Sequence, residues 1–227
     1  VDIMKKKRVT MINVNNDFGQ ALSAGMKDAA PKLGLQLISE YNFGMGDRQF
    51  GSIVASVKKD DPEVIYVSGY FFNGGPLVAQ LRAGGVTAPI VGTEGFDTAN
   101  FVQIAKEAAE GVIITTSLDR DTTDPTMRKF IDDYKKRFNV GAEMVAASTH
   151  TAVNVLVEAI RKVGIEDSTK LRNEIGATKN MPSAAGTITF NSSREVYKAA
   201  QIQIIKNGEF KRFAVIDDPV LLAPPTY

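Results

Sequence analysis

Apolar and polar positions follow two different rhythms along this chain, and the rhythm changes near residue 120. Residues 8–13 (RVTMIN) form a β-rich run, and an Ala-, Leu- and Met-bearing stretch over 20–33 follows with helical spacing until Gly34 stops it. Residues 35–41 predict a second strand. Residues 49–59, with Phe50, Ile53, Val54 and Val57 three and four apart, predict the next helix. The alternation continues with a strand at 64–67, a helix at 76–83 ended by Gly84-Gly85, a strand at 89–92, a helix at 99–109 and a strand at 111–117. Strands alternating with helices at this pitch imply a parallel sheet covered on both faces, with right-handed crossovers. The first half therefore predicts a five-stranded, doubly wound α/β lobe.

From 124 to 178 the pattern predicts three helices with no comparable strand between them. The first, 127–138, sets Met127, Phe130, Ile131, Tyr134 and Phe138 on one face; the second, 146–163, is expected to bury Val153, Leu156, Ala159, Ile160 and Val163; the third spans 168–177. A short strand at 187–190 and a hairpin, 201–206 with 209–213, turning at Asn207-Gly208, come next. The tail with Pro219, Pro224 and Pro225 reads as irregular. Three helices with apolar stripes and almost no sheet make an incomplete, mainly helical second lobe, whose stripes need an apolar partner.

In an open parallel sheet, ligands bind outside the carboxyl ends of the strands. The loops at that edge are 15–19, 68–75, 92–97 and 117–120, and they bring Phe18, Tyr70, Phe71, Phe72 and Phe96 to one rim with Glu94 among them. Three consecutive aromatics where the chain turns have two readings: packing under a neighbouring lobe, or a platform for a ligand. A carboxylate framed by aromatic faces suits a cation, because each ring face adds about 0.5 to 2 kcal/mol in a desolvated site. Glu94 also has an ordinary reading, pairing with the dipole of the helix that follows. Asp97 is the apparent cap of that helix, which leaves Glu94 available.

Composition narrows the classes. The 227 residues are 44% apolar and 23% charged, enough for a sizeable core in one or two domains. A net charge of +1 gives no electrostatic case for nucleic acid or a membrane surface. The run Lys5-Lys6-Lys7-Arg8 reads as a solvated edge before the first strand. With no cysteine there is no disulfide, thiolate site or cysteine nucleophile, and one histidine, His150, leaves a zinc site little to rest on. No G-x-G-x-x-G follows the first strand, and neither a Walker-type loop nor a G-x-S-x-G elbow occurs. Catalysis lacks a candidate constellation, so the expectation is a non-enzyme with no cofactor and no metal. No apolar run approaches the roughly 20 residues that span a bilayer. No leader is visible, since Val1-Asp2-Ile3-Met4 runs into charges.

At the rim loops the sequence resembles the periplasmic solute-binding proteins of branched-chain amino acid ABC transporters, of the two-lobed Leu/Ile/Val-binding type. The resemblance runs over about residues 7–213: N-D-F-G after the first strand, V-I-Y-V-S-G-Y after the third, P-I-V-G-T-E-G-F after the fourth, then G-T-I-T-F and an I-K-N-G-E-F hairpin. It implies two α/β lobes joined by three crossing segments. Residues 1–119 and 200–227 would form the C-terminal-type lobe, and 120–199 the returning part of the N-terminal-type lobe. The family's opening segment would lie outside this chain, which accounts for the unmatched helices and implies self-association of the chain. By the resemblance, Glu94 takes the ligand's α-ammonium, Tyr70 lines the pocket, and Phe18 stands where relatives often carry tyrosine and lacks its hydroxyl; Phe71 and Phe96, from the same rim, are further candidate ligand contacts. The implied ligand is a small aliphatic, branched-chain amino acid, the implied partner an ABC permease, and the implied location periplasmic or extracytoplasmic. Another small solute on the same fold (an amide or aromatic acid) and a flavodoxin-like regulatory domain are the alternatives. A micromolar site holds about −8 kcal/mol, and half its contacts would leave about −4, near millimolar. This chain alone is therefore expected to bind amino acids barely or not at all.

Overall fold

The computed structural model describes residues 1–222; Pro224 and Pro225, within the tail read as irregular, lie outside the described residues. The chain divides into two compact units, Val1–Thr115 with Gln203–Lys211, and Thr116–Ile202 with the chain from Arg212 onward.

In the first unit the order of elements is β1 (Arg8–Val14), α1 (Asp17–Leu33), β2 (Gln36–Phe43), α2 (Gly51–Asp60), β3 (Val64–Ser68), α3 (Phe71–Ala83), β4 (Ile90–Gly92), a 3-10 turn at Glu94–Phe96, α4 (Ala99–Ala105) and β5 (Ile113–Thr116). The strands lie in the order β2-β1-β3-β4-β5, with β1 parallel to β2 and β3, and β4 parallel to β3 and β5. The sheet continues into β8 (Ala200–Lys206) and β9 (Glu209–Ile216). These two join through Asn207-Gly208, both at positive φ (53° and 75°), the backbone of a tight hairpin turn that Asn-Gly favours. The α/β fold class with a mainly parallel central sheet is as the sequence predicts.

Strand alternation divides the core. Ile12, Val14, Ile65 and Val67 face a large cluster with Phe50 at the head of α2, Val54 and Val57 of α2, Leu77, Val78 and Leu81 of α3, and Phe101 of α4. Val9, Met11, Val64 and Tyr66 face the other side, against Met26 of α1.

Several element starts differ from the sequence reading, for reasons of capping. Helix α1 begins three residues early because Asn16 caps it, its side chain accepting the N–H of Gly19 at 2.9 Å. Helix α3 begins at Phe71 rather than 76, so the aromatic run is a cap and first helical turn rather than a loop. The Asn73 side chain accepts the N–H of Tyr70 at 2.9 Å, and Pro76 falls within the helix. The helix expected over 99–109 breaks at Lys106, which takes φ 53°, and goes on as a 3-10 turn over Lys106–Ala109. Its cap is Thr98, whose hydroxyl accepts from Asn100; Asp97, the expected cap, is buried.

The second unit carries α5 (Pro125–Phe138), α6 (Met144–Val163) and α7 (Ser168–Gly176), with a two-stranded antiparallel pair, β6 (Thr189–Phe190) and β7 (Val196–Tyr197). Asp124 caps α5 by accepting from Met127, with Pro125 at the first helical position. The packed face of α6 agrees with the expected one at Ala159 and departs from it at Val153 and Leu156. Ala147, Thr151, Val155 and Ala159 are buried, while Val153 and Leu156 stand 53% and 40% exposed. Phe138, which the sequence sets on the apolar face of α5 with Met127 and Phe130, is 53% exposed. His150 lies exposed on α6 beside Asn154, its ring 4.9 Å from that of Phe130.

Candidate functional site

The carboxyl edge of the first unit's sheet is where three chain turns converge, each set by local chemistry. After β1 the chain turns at Asn15-Asn16 into α1. Asn16 serves twice there, capping the helix and reaching with Nδ2 towards the Tyr70 hydroxyl at 3.4 Å. After β3 comes Gly69-Tyr70, with Tyr70 extended at φ −113° and ψ 163° as the α3 cap. After β4, Thr93 is extended and Glu94 opens the 3-10 turn.

Tight backbone contact holds the last two together. A Cβ on Gly95 would lie 2.1 Å from the Gly69 carbonyl oxygen, so only glycine lets Glu94 and Tyr70 come this near each other.

The rings form a continuous row. Phe18 stacks on Tyr70 at 5.2 Å and 30°, and Tyr70 lies nearly parallel to Phe72 at 5.6 Å and 3°. Phe71 meets Phe72 edge-on at 5.4 Å, and the Arg48 guanidinium sits 5.1 Å from the centre of the Phe72 ring. Offset and edge-on ring pairs of this kind add about 0.5 to 1.5 kcal/mol each beyond burial. Phe18, Tyr70 and Phe71 are half-buried and pack against the large core cluster, each with part of its surface left open.

Phe96 departs from the expectation. It is fully buried, stacked at 4.4 Å on Phe101, and a Cβ on Gly74 or Gly92 would lie 2.0 or 2.4 Å from its ring. Two glycines make the slot that takes the ring. Phe96 thus belongs to the core beneath the rim and presents no open face.

Glu94 is half-buried, and among the described residues no lysine or arginine pairs with it. Its charge is felt at Tyr66, where burial first and then the nearby Glu94 carboxylate push the phenol up to about 12. Glu40 behaves in the opposite sense. It accepts from Lys27, Ser23 and Asn13, and these bonds hold its carboxyl below the ordinary 4.5. Asn13 in turn accepts from the Ser68 hydroxyl at 2.9 Å, a buried link between the ends of β1 and β3.

Thus Phe18, Tyr70, Phe71 and Glu94 meet at one edge of one unit, with Phe96 underneath. The sequence reading missed Asn16, Arg48 and Tyr66. Asn16 had a signal, an Asx residue just before a helix; Arg48 on its loop and Tyr66 within a strand had none. Among the described residues no group of three or more metal-ligating side chains gathers, and no helix is long and apolar enough to cross a membrane.

A model of the periplasmic binding protein family matches residues 1–208. The chain belongs to the periplasmic binding protein family. Among curated relatives, a Leu/Ile/Val-binding protein homologue of Brucella melitensis is 28% identical over 85% of this chain and 52% of its own length. The chain spans about half the length of the curated relatives it matches. Among solved structures, a leucine-binding protein of Thermotoga maritima superposes with a TM-score of 0.88 at 28% identity, covering 93% of this chain and 61% of that one. A solute-binding protein of R. palustris, solved with benzoate, has a TM-score of 0.82 at 15% identity over 94% of this chain and 60% of that one, which speaks to the fold alone.

Proposed function

We propose that this family member is the receptor of an extracytoplasmic solute-uptake system, capturing a small aliphatic, branched-chain amino acid for an ABC importer and catalysing no reaction. The observation that carries this reading is Glu94, a half-buried carboxylate without a cationic partner among the described residues, on a turn whose Gly95 packs against Gly69-Tyr70 at the edge where Tyr70 stacks on Phe18. A protonated α-amine supplies the charge such a group lacks, and ring faces add attraction for a cation while excluding water. In the same proposal Tyr70 and Phe18 line the pocket, Phe71 supports them, and residues 120–199 belong to the other lobe of a two-lobed receptor. The names of the relatives, which are Leu/Ile/Val- and leucine-binding proteins, agree with an aliphatic amino acid.

A second reading, a receptor for another small solute, has one observation in its favour: the fold also occurs in a protein solved with benzoate. Glu94 separates the two, since its charge repels a simple carboxylate. A thermal-shift screen of the chain with amino acids, nucleotides and organic acids tests the proposal. Stabilisation by millimolar leucine, isoleucine or valine is the expected outcome, and stabilisation by organic acids or nucleotides alone contradicts it. Self-association belongs to the same proposal, supported by the exposed Val145, Val153 and Leu156 on α6; a monomer by light scattering at all concentrations would count against it.

A further inference from the structure

We propose that Asn13, Ser68, Glu40 and Ser23 are positioning residues for the rim, a chain of hydrogen bonds that presets the Phe18–Tyr70 ring pair before any ligand arrives. The proposal rests on that pair lining the ligand site, and it adds what holds the two rings in register.

The brace is marked out by its place on the sheet. Along β1 and β3, the paired residues on the α1 side are Val9 with Val64, Met11 with Tyr66, and Asn13 with Ser68. The first two pairs pack in an apolar cluster that Met26 of α1 joins. The last pair, at the carboxyl edge, is polar and buried, at 1% and 0% exposure. Ser68 donates to Asn13 Oδ1 at 2.9 Å, and Asn13 donates from Nδ2 to Glu40 of β2 at 3.0 Å. The same Glu40 oxygen accepts the Ser23 hydroxyl of α1 at 2.6 Å, and the other oxygen pairs with Lys27 at 2.6 Å. One network joins β1, β2, β3 and α1.

Both ends of it run into the rim without slack. Tyr70 stands two residues beyond Ser68, and its hydroxyl lies 3.4 Å from Asn16 Nδ2. On the other side Asn13 leads through Asn15, whose N–H donates to the Phe43 carbonyl at 2.8 Å, to Asn16, the cap of α1. Phe18 sits in the first turn of that helix. A Cβ on Gly19 would lie 1.9 Å from the Val14 carbonyl oxygen, so this turn rests directly on the end of β1. A slip of β1 against β3 at Asn13–Ser68, or of α1 at Ser23, is a slip of Phe18 against Tyr70.

Apolar side chains fill the rest of this face, and for stability alone they would serve here too. Hydrogen bonds add direction, which dispersion contacts lack, and so specify one arrangement of the four elements. Rings fixed beforehand spare the ligand the cost of ordering them.

NMR of this chain tests the brace without a ligand. The stacked Tyr70 ring shifts the Phe18 ring protons, and the buried Phe96–Phe101 stack of the same unit serves as the reference. Asn13→Leu combined with Ser68→Ala makes both partners apolar at similar size, so urea unfolding should change little. In that double variant the Phe18 shift is expected to move towards the value of an unstacked ring while Phe96 keeps its own. Ser23→Ala, a mild change within a helix, should lose part of the Phe18 shift. Glu40→Gln gives up the charge that Lys27 meets but keeps an oxygen for Asn13 and Ser23, so its Phe18 shift should persist. A Phe18 shift unchanged in the double variant or in Ser23→Ala overturns the proposal, and so do equal changes in both ring pairs, which would report general loosening. Leucine titration of the double variant should show about two- to tenfold weaker binding, as loss of one hydrogen bond's worth of positioning does. Equal affinity overturns the role in binding. If the wild-type chain binds no leucine, the amino acid reading fails, while the ring shifts still decide the brace.

Discussion

Helix α3 in the first unit buries Leu77, Val78 and Leu81 completely, whereas α6 in the second leaves Val145, Val153 and Leu156 at 66%, 53% and 40% exposure. Both helices are apolar, but α3 belongs to a sheet-centred core and offers it Leu77, Val78 and Leu81. Helix α6 turns mostly small residues, Ala147, Thr151 and Ala159 with Val155, towards its own unit, and leaves Val145, Val153 and Leu156 outward. Close helix packing selects small residues, and a broad apolar surface such as a sheet selects large ones. The first unit has a sheet for its helices to cover. Its neighbour in sequence packs helix on helix, with a small cluster of Leu118, Met127, Phe130, Ala142, Ala147 and Ala184 at its centre.

The largest effect that could break this contrast is a ring deletion. Phe96→Ala empties a fully buried site against Phe101 and should cost about 3 to 5 kcal/mol in urea unfolding. Phe138→Ala, at a ring 53% exposed, should stay within about 0.5 kcal/mol. Equal losses would mean that the two units are packed to the same depth after all.

A smaller effect sharpens the contrast from the other side. Gly92→Ala places a methyl 2.4 Å from the Phe96 ring and should cost about 1 to 3 kcal/mol. Gly141→Ala, with nothing within 4 Å, should be neutral or slightly stabilising by the same assay.

The smallest effect is acid-dependent. Glu40 is held below its ordinary 4.5 by Lys27, Ser23 and Asn13, so its bonds stabilise the first unit above that value and are lost as the pH falls through its lower folded value. The stability gap between the chain and Glu40→Gln should therefore be present at neutral pH and close in acid. A gap that widens on acidification would contradict that sign.

How much of this the sequence discloses differs between the units for the same physical reason. In the first, the central strands β1 and β3 are buried on both faces and each helix on one, so apolar period and burial coincide. Phe50, Val54 and Val57 lie where their spacing puts them. In α6 the stripe Val153, Leu156 and Ile160 is equally periodic, yet periodicity reports that a face is apolar and not what covers it. At the rim, Glu94 and Tyr70 were legible because an edge of parallel strands limits which loops can carry chemistry. Phe96 was misread because its burial depends on the absence of Cβ atoms at Gly74 and Gly92, a packing fact without any periodic trace. The start of α3 was missed because Asn73, three residues past the cap, supplies the capping acceptor.

The central claim is that Glu94, at the sheet edge that also carries Phe18 and Tyr70, receives a protonated amine. An NMR titration of the chain with leucine and with its keto-acid counterpart, which has the same side chain but no ammonium, tests it most directly. The account predicts that millimolar leucine shifts the resonances of Glu94, Tyr70 and Phe18, that the keto acid does not, and that Glu94→Gln abolishes the difference. Equal shifts from both compounds, or leucine shifts that persist unchanged in Glu94→Gln, would contradict it.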